Sequence, residues 1–137
     1  MTQDQKDLLL QDLSGRAPYG VKMNHIADTE NNPITLVGVA KTMITLESSA
    51  GYGTSDIEDY IPYLFPLSSM TEEIMDEIYN ITGVYDINED SLVHIEVGTT
   101  FEDLTKIFHI LNKYHIDYRG LIPMGLALDA TGLGIYP

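Results

Sequence analysis

The chain has 137 residues, of which 44% are apolar and 20% charged, a composition typical of one folded domain of ordinary size. It contains no cysteine, which excludes disulfides, thiolate metal ligands and cysteine nucleophiles. The net charge of −14 would repel a phosphate backbone, and no apolar run is long enough to span a bilayer, so we expect a cytoplasmic protein that binds neither nucleic acid nor membrane.

The first predicted element is a helix from Gln3 to Ser14. Thr2 and Gln5 have the spacing of a capping box, in which each residue satisfies a backbone N–H of the other. Gly15 is placed to end the helix, and Pro18 prevents it from continuing.

Three strands are predicted next. Tyr19 to Ile26 alternates between apolar and polar residues, as a half-buried strand does. Ile34–Val39 and Thr42–Glu47 are rich in β-branched residues and are separated by a short turn, which favours a hairpin. The glycine-rich and serine-rich stretch Ser48–Thr54 is predicted to be a mobile loop.

The middle of the chain predicts a second helix. The segment Asp56–Pro66 should be extended or briefly helical, since Pro62 prevents a long helix. Ser69 and Glu72 have capping-box spacing and open a helix that ends at Gly83. Its inner edge is predicted to consist of Ile74, Ile78 and Ile81.

A further strand, Leu92–Val97, and a third helix follow. The helix begins after Thr100, a predicted N-cap, and its apolar stripe consists of Phe101, Leu104, Ile107, Phe108 and Leu111. We expect this stripe to cover the open face of the three-stranded meander. The sequence therefore predicts a single α+β domain over residues 1–137: an N-terminal helix, a three-stranded antiparallel meander, then two further helices and one more strand packed on the sheet.

The negative charge is concentrated in the middle of the chain. No lysine or arginine occurs between Lys41 and Lys106, an interval that holds fourteen carboxylates. A solvated acidic face is the ordinary interpretation of such a segment. The alternatives are a surface for a basic partner and a surface that imitates nucleic acid.

One motif suggests a cation. Asp86, Asn88 and Asp90 have the spacing with which a calcium loop begins, but Ser91 and Val97 occupy the positions where an EF-hand requires glycine and glutamate. We interpret the motif as an exposed acidic turn and leave cation binding open.

Catalytic signatures are absent from the sequence. The four histidines, at positions 25, 94, 109 and 115, lack the spacing of a metal-binding pair on a helix. No serine lies in a nucleophile-elbow motif, and Gly51–Ser55 lacks the lysine of a phosphate-binding loop. We therefore assign no catalytic, cofactor-binding or metal-binding residue and no cofactor.

Two features could mediate binding. The nine tyrosines are interpreted as core residues or as part of a protein interface. Arg119 is the only lysine or arginine after Lys113, and its guanidinium would suit either a structural pair with a carboxylate or an anionic ligand. The structural pair is the favoured interpretation of Arg119.

Two stretches have a more specific pattern: residues 62–73, PYLFPLSSMTEE, and residues 116–128, which contain IDYRGLI and GLAL. Together with residues 7–10 and 18–21, they resemble an uncharacterised family of short acidic proteins from gut anaerobic bacteria. Pro123 and Met124 stand where that family has a Glu-Lys pair. The resemblance implies a related fold and a role as a phage or plasmid accessory protein, without an assigned activity.

The function predicted from these features is a non-enzymatic accessory or interaction protein with a protein partner, while homo-oligomerisation stays open. One alternative is an acidic inhibitor that imitates nucleic acid and occupies the cleft of a basic protein. The other is a small hydrolase that uses carboxylates and histidine, which would require a pocket in which those groups converge.

Overall fold

The structure, a computed structural model, describes residues 1–82 and 101–137. Its helices are α1 (Gln3–Arg16), α2 (Glu72–Thr82) and α3 (Phe101–Lys113). Its strands are β1 (Lys22–His25), β2 (Ile34–Val39), β3 (Met43–Ser48), β4 (Gly51–Asp56), β5 (Tyr60–Pro66), β6 (Ile116–Asp117) and β7 (Leu128–Asp129). The predicted α+β class, with an N-terminal helix, an antiparallel meander and further helices, is confirmed.

The strands lie in the order β4-β3-β2-β1-β5-β6, and β1 to β4 form an antiparallel meander. Strand β5 pairs antiparallel with β1 and parallel with both short C-terminal strands. Phe65 of β5 lies opposite Ile116 in β6, and Tyr63 lies opposite Leu128 in β7. The C-terminal segment is therefore attached to the sheet along β5, far from the edge strand β4.

Helix α1 begins as predicted. Thr2 Oγ1 accepts a hydrogen bond from the Gln5 backbone N–H at 3.2 Å, and Gln5 Oε1 accepts one from the Thr2 N–H at 2.9 Å. The predicted end at Ser14 was two residues too early, because the helix continues through Gly15 to Arg16. Arg16 pairs with Asp12 one turn earlier, which requires helical spacing between them.

The predicted partner of the meander was wrong. Helix α1, and not α3, covers it: Leu9, Leu10 and Leu13 share a core cluster with strand residues such as Met23 and Leu36. Ile107 and Leu111 of the α3 stripe pack instead against α2, with Phe108 beside them. The buried residues of this second cluster are Ile74, Ile78, Ile107, Ile110, Leu111 and Ile116. An apolar stripe shows that a helix buries one side, but it does not identify the surface that covers it.

The prediction of a loop at Ser48–Thr54 was also wrong. Residues Gly51–Asp56 form β4, which pairs with β3 from Met43↔Asp56 to Ser48↔Gly51 without a break in register. Glycine and serine have low strand propensity, but hydrogen bonding to β3 overrides it. The segment Asp56–Pro66 is extended with one short 3-10 helix, Ile57–Asp59, as expected.

Helix α2 begins at Glu72, and the predicted capping box at Ser69 was wrong. Ser69 belongs to a preceding 3-10 helix, and it is Thr71 Oγ1 that accepts a hydrogen bond from the Ile74 N–H, at 3.3 Å. Ile81 is 40% exposed and does not belong to the buried edge.

Several predicted features lie outside the described residues: the stop at Gly83, the Asp86/Asn88/Asp90 motif, the strand Leu92–Val97 and the cap at Thr100. In the two described ranges, no helix has the length and apolar character needed to cross a bilayer.

Candidate functional site

A buried ion cluster joins α1 to the segment after α3. Arg16 donates from Nε to Asp12 Oδ2 at 2.6 Å and from Nη2 to Oδ1 at 3.2 Å. Arg119 donates from Nε to the same Oδ1 at 3.0 Å. The side chains of Asp12 and Arg16 are fully buried, whereas that of Arg119 keeps 29% of its surface exposed. One carboxylate therefore binds two guanidinium groups, and only Arg119 reaches solvent.

Tyr118 lies against both arginines. The guanidinium carbons of Arg16 and Arg119 are 5.0 and 5.3 Å from the centre of its ring, within the range of cation–π attraction. The Tyr118 hydroxyl donates to Asn112 Oδ1 at 2.9 Å, which ties the ring to α3. Both arginines and the tyrosine are thus held in fixed positions.

Asp117 shapes the turn that follows. Its carboxylate accepts hydrogen bonds from the backbone N–H groups of Leu121 and Ile122, each at 2.9 Å. Gly120 within this turn has φ +74°, a conformation that favours glycine. Because Asp117 is 4% exposed and directed at the backbone, its role in this structure is to hold the loop.

A cleft of about 730 Å³ opens beside these residues. It is lined by Pro66, Leu67, Phe108, Asp117, Tyr118, Arg119, Gly120, Ile122, Pro123 and Met124. Most of these side chains are apolar, and Arg119 is the one cation in the lining. Asp117 is the only carboxylate among these lining residues, and no histidine accompanies it, so the cleft does not bring together the acid–base groups that a hydrolase would require.

The prediction of a structural pair between Arg119 and a carboxylate is confirmed by its contact with Asp12. That contact uses Nε alone. Within the described part of the chain, Nη1 and Nη2 of Arg119 form no hydrogen bond. The structural role therefore leaves the outer end of the guanidinium available, and the two interpretations of Arg119 are compatible.

The histidines do not gather. His109 Nδ1 lies 3.0 Å from the Tyr19 hydroxyl at the surface, while the ring of His115 stacks on Tyr136 at a centroid distance of 3.8 Å. Burial, and then the positive charges of Arg16 and Lys22, lower the pKa of His115 to about 4. No set of three or more His, Asp or Glu side chains in residues 1–82 and 101–137 is arranged to hold a metal ion.

The tyrosines divide between the two predicted environments. Tyr63 is fully buried and donates from its hydroxyl to Asn31 Oδ1, whereas Tyr52 is 73% exposed on β4. Tyr52 is therefore an interface candidate, and its strand is the second feature available for binding.

Among the residues that the structure describes, strand β4 is an edge of the sheet. The Ile57 N–H donates to the Thr42 carbonyl at 3.3 Å, so these two residues form a hydrogen-bonded pair. Hydrogen-bonded and non-hydrogen-bonded pairs alternate along an antiparallel ladder, so every second pair of β3 and β4, counted from this one, is also hydrogen-bonded. Tyr52, Thr54 and Asp56 belong to the alternate pairs, and their N–H and C=O groups point away from β3. Strand β4 contains no proline, lysine or bulge, which commonly protect such edges.

The face of β4 on the core side is open. Gly53 lies opposite the buried Leu46, and a Cβ added to Gly53 would meet no atom within 4 Å. A depression of about 190 Å³ results, with Ile34, Leu46 and Tyr60 among its lining residues. The edge therefore offers space for an incoming side chain and backbone groups that have no partner in residues 1–82 and 101–137.

Sequence reasoning missed both features. Asp12 and Arg16 have the i,i+4 spacing of a helical ion pair, a signal that was present but that does not reveal complete burial. The edge position of β4 has no comparable signal, because a strand of glycine, serine and threonine reads as a loop.

Comparisons with known proteins supply no relative. The chain matches no family model, no curated protein and no solved structure.

Proposed function

We propose that this chain is a non-enzymatic interaction protein that adds an extended, basic segment of a partner protein to strand β4. The observation that supports the proposal most directly is the row of outward-directed N–H and C=O groups on Tyr52, Thr54 and Asp56. Recognition by strand addition uses such groups for affinity and neighbouring side-chain pockets for specificity. The depression next to Gly53 is suited to the second role.

The charge of the partner follows from the surroundings of β4. Glu47 lies opposite Tyr52, Asp56 ends the strand, and Glu58 and Asp59 follow in the 3-10 helix. Lys6 pairs with Glu58, and residues 42–82 contain no lysine or arginine. An extended segment with lysine or arginine would therefore be attracted to this edge. A second copy of the chain fits poorly, because each copy has a net charge of −14.

An accessory role of this kind agrees with the mobile-element setting that the family resemblance implies, which stays a prediction. It also differs from nucleic-acid imitation in the contacts it requires. Strand addition requires backbone groups of β4, whereas an imitator would use carboxylates alone.

The test uses short synthetic peptides in which valine alternates with lysine, and matched peptides in which glutamate replaces lysine. We expect the lysine peptides to slow amide hydrogen exchange at Tyr52 and Thr54, and the glutamate peptides to leave it unchanged. The substitution Thr54→Pro removes an outward N–H without breaking the β3–β4 ladder, so it should weaken binding about tenfold.

Thr54→Val is the matched control, since it keeps the N–H and favours a strand. Equal binding by the proline and valine variants, or protection of amides away from β4, would contradict strand addition. Binding that depends on charge but leaves these amides unprotected would favour the imitator instead.

A further inference from the structure

We infer that the cleft beside Arg119 binds a small organic molecule that combines an apolar body with one carboxylate group. The site is separate from β4 and does not depend on the proposed strand addition. It is built from Arg119, from the ring of Tyr118 and from apolar side chains of the β5 end, α3 and the C-terminal segment.

Arg119 is fixed in the orientation that a ligand requires. Asp12 holds Nε at 3.0 Å, and Tyr118 lies against the guanidinium plane. With these two contacts made, Nη1 and Nη2 remain as a fork of N–H donors without a partner in the described residues. A carboxylate matches this fork with two parallel hydrogen bonds. Because the arginine is already ordered, binding would cost little of its side-chain entropy.

The rest of the cleft suits an apolar body. Leu67, Phe108, Ile122 and Met124 line it, and Met124 is 45% exposed in the free protein. The volume of about 730 Å³ is in the usual range for small-molecule pockets, which are mostly apolar with few fixed polar groups. Burial of this lining would supply affinity, while the arginine would set the orientation of the ligand.

The charge of the site favours a carboxylate over a phosphate. Arg119 is the one cation of the lining, and its charge is already partly compensated by Asp12, which it shares with Arg16. Asp117 lies in the same lining, and its backbone donors at Leu121 and Ile122 are occupied. A dianion would therefore find too few donors and too much negative charge, whereas a single carboxylate needs only the free fork.

The experiment compares hexanoate, octanoate and 4-phenylbutyrate with the corresponding neutral amides and with phenyl phosphate. Titration of the ¹⁵N-labelled protein should shift the backbone amide signals of Gly120, Leu121 and Ile122 with the carboxylates. We expect the amides and phenyl phosphate to bind about tenfold more weakly, since they lack the charge or the geometry for the fork.

Arg119→Met should weaken carboxylate binding by about tenfold or more and leave the weak binding of the amides unchanged. Lys41→Met removes one positive charge from an exposed turn and serves as the control for net charge. If Arg119→Met fails to fold, the preference of the unmodified protein for carboxylates over amides decides the question. Equal affinity for carboxylates and amides, or shifts outside the cleft, would overturn the inference.

Discussion

Replacing Asp12 tests whether the buried ion cluster stabilises the fold. Asp12→Asn keeps the shape of the side chain but removes the negative charge, and it turns one acceptor into a donor facing an arginine. Three charge-assisted hydrogen bonds converge on this carboxylate, and Arg16 is fully buried. Removing one partner of a buried ion pair costs about 3–5 kcal/mol, because the other charge stays in the interior without compensation.

This loss is a large part of the ~5–15 kcal/mol that separates the folded and unfolded states of a typical domain. Equilibrium urea unfolding, followed by far-ultraviolet circular dichroism, measures it as a fall in the midpoint at unchanged slope. Asp7→Asn on the exposed side of α1 is the matched control and should change the free energy of unfolding by less than about 0.5 kcal/mol.

The double variant Asp12→Leu with Arg16→Met separates charge from packing. It removes the buried guanidinium of Arg16 together with the Asp12 carboxylate that neutralises it, so no unpaired charge of this pair stays in the interior. We therefore expect a smaller loss of stability than in Asp12→Asn. A loss below about 1 kcal/mol for Asp12→Asn would refute the reasoning, since an exposed pair gives that value. A double variant less stable than the single one would show that Arg16 contributes by packing and by its hydrogen bond to the Ile116 carbonyl.

Three further predictions concern the helices and the partly buried His115. His115 has a pKa of about 4 in the folded protein, against 6.5 for an unperturbed histidine. Its contribution to stability is therefore fully present above pH 6.5 and is lost as the pH decreases towards 4. The unfolded chain takes up the proton first, and the loss is about 2–3 kcal/mol after allowance for partial exposure. Urea unfolding at several pH values measures the dependence of stability on pH. His115→Gln should flatten it between pH 6.5 and 4, whereas the control His109→Gln should preserve it. A steep dependence in His115→Gln would show that another group causes the loss. Thr2→Ala removes the capping box and should lower the free energy of unfolding by about 1 kcal/mol, a difference that Thr2→Ser should largely restore. Ile78→Ala opens a cavity between α2 and α3 and should cost about 2–5 kcal/mol, whereas the same change at the exposed Ile81 should cost much less; equal losses would contradict the assigned face of α2.

The sequence predicted elements whose signals are local. The box formed by Thr2 and Gln5 marks the start of α1, and the apolar spacing that includes Ile107 and Leu111 marks the buried side of α3. Ile34–Val39 was placed correctly because β-branched residues favour strands. Each of these features depends on residues within a few positions of one another.

The fold class and the acidic character of the chain thus follow from the sequence by itself. Only the tertiary structure decided that α1 covers the meander, that Gly51–Asp56 is a strand paired with β3, and that Arg119 meets Asp12 across 107 positions of the chain. The physical reason is that burial and strand pairing depend on which surfaces come together in space, and periodicity along a segment contains no information about its partner. The cleft beside Arg119 exists because several distant segments meet there, and no single one of them predicts it.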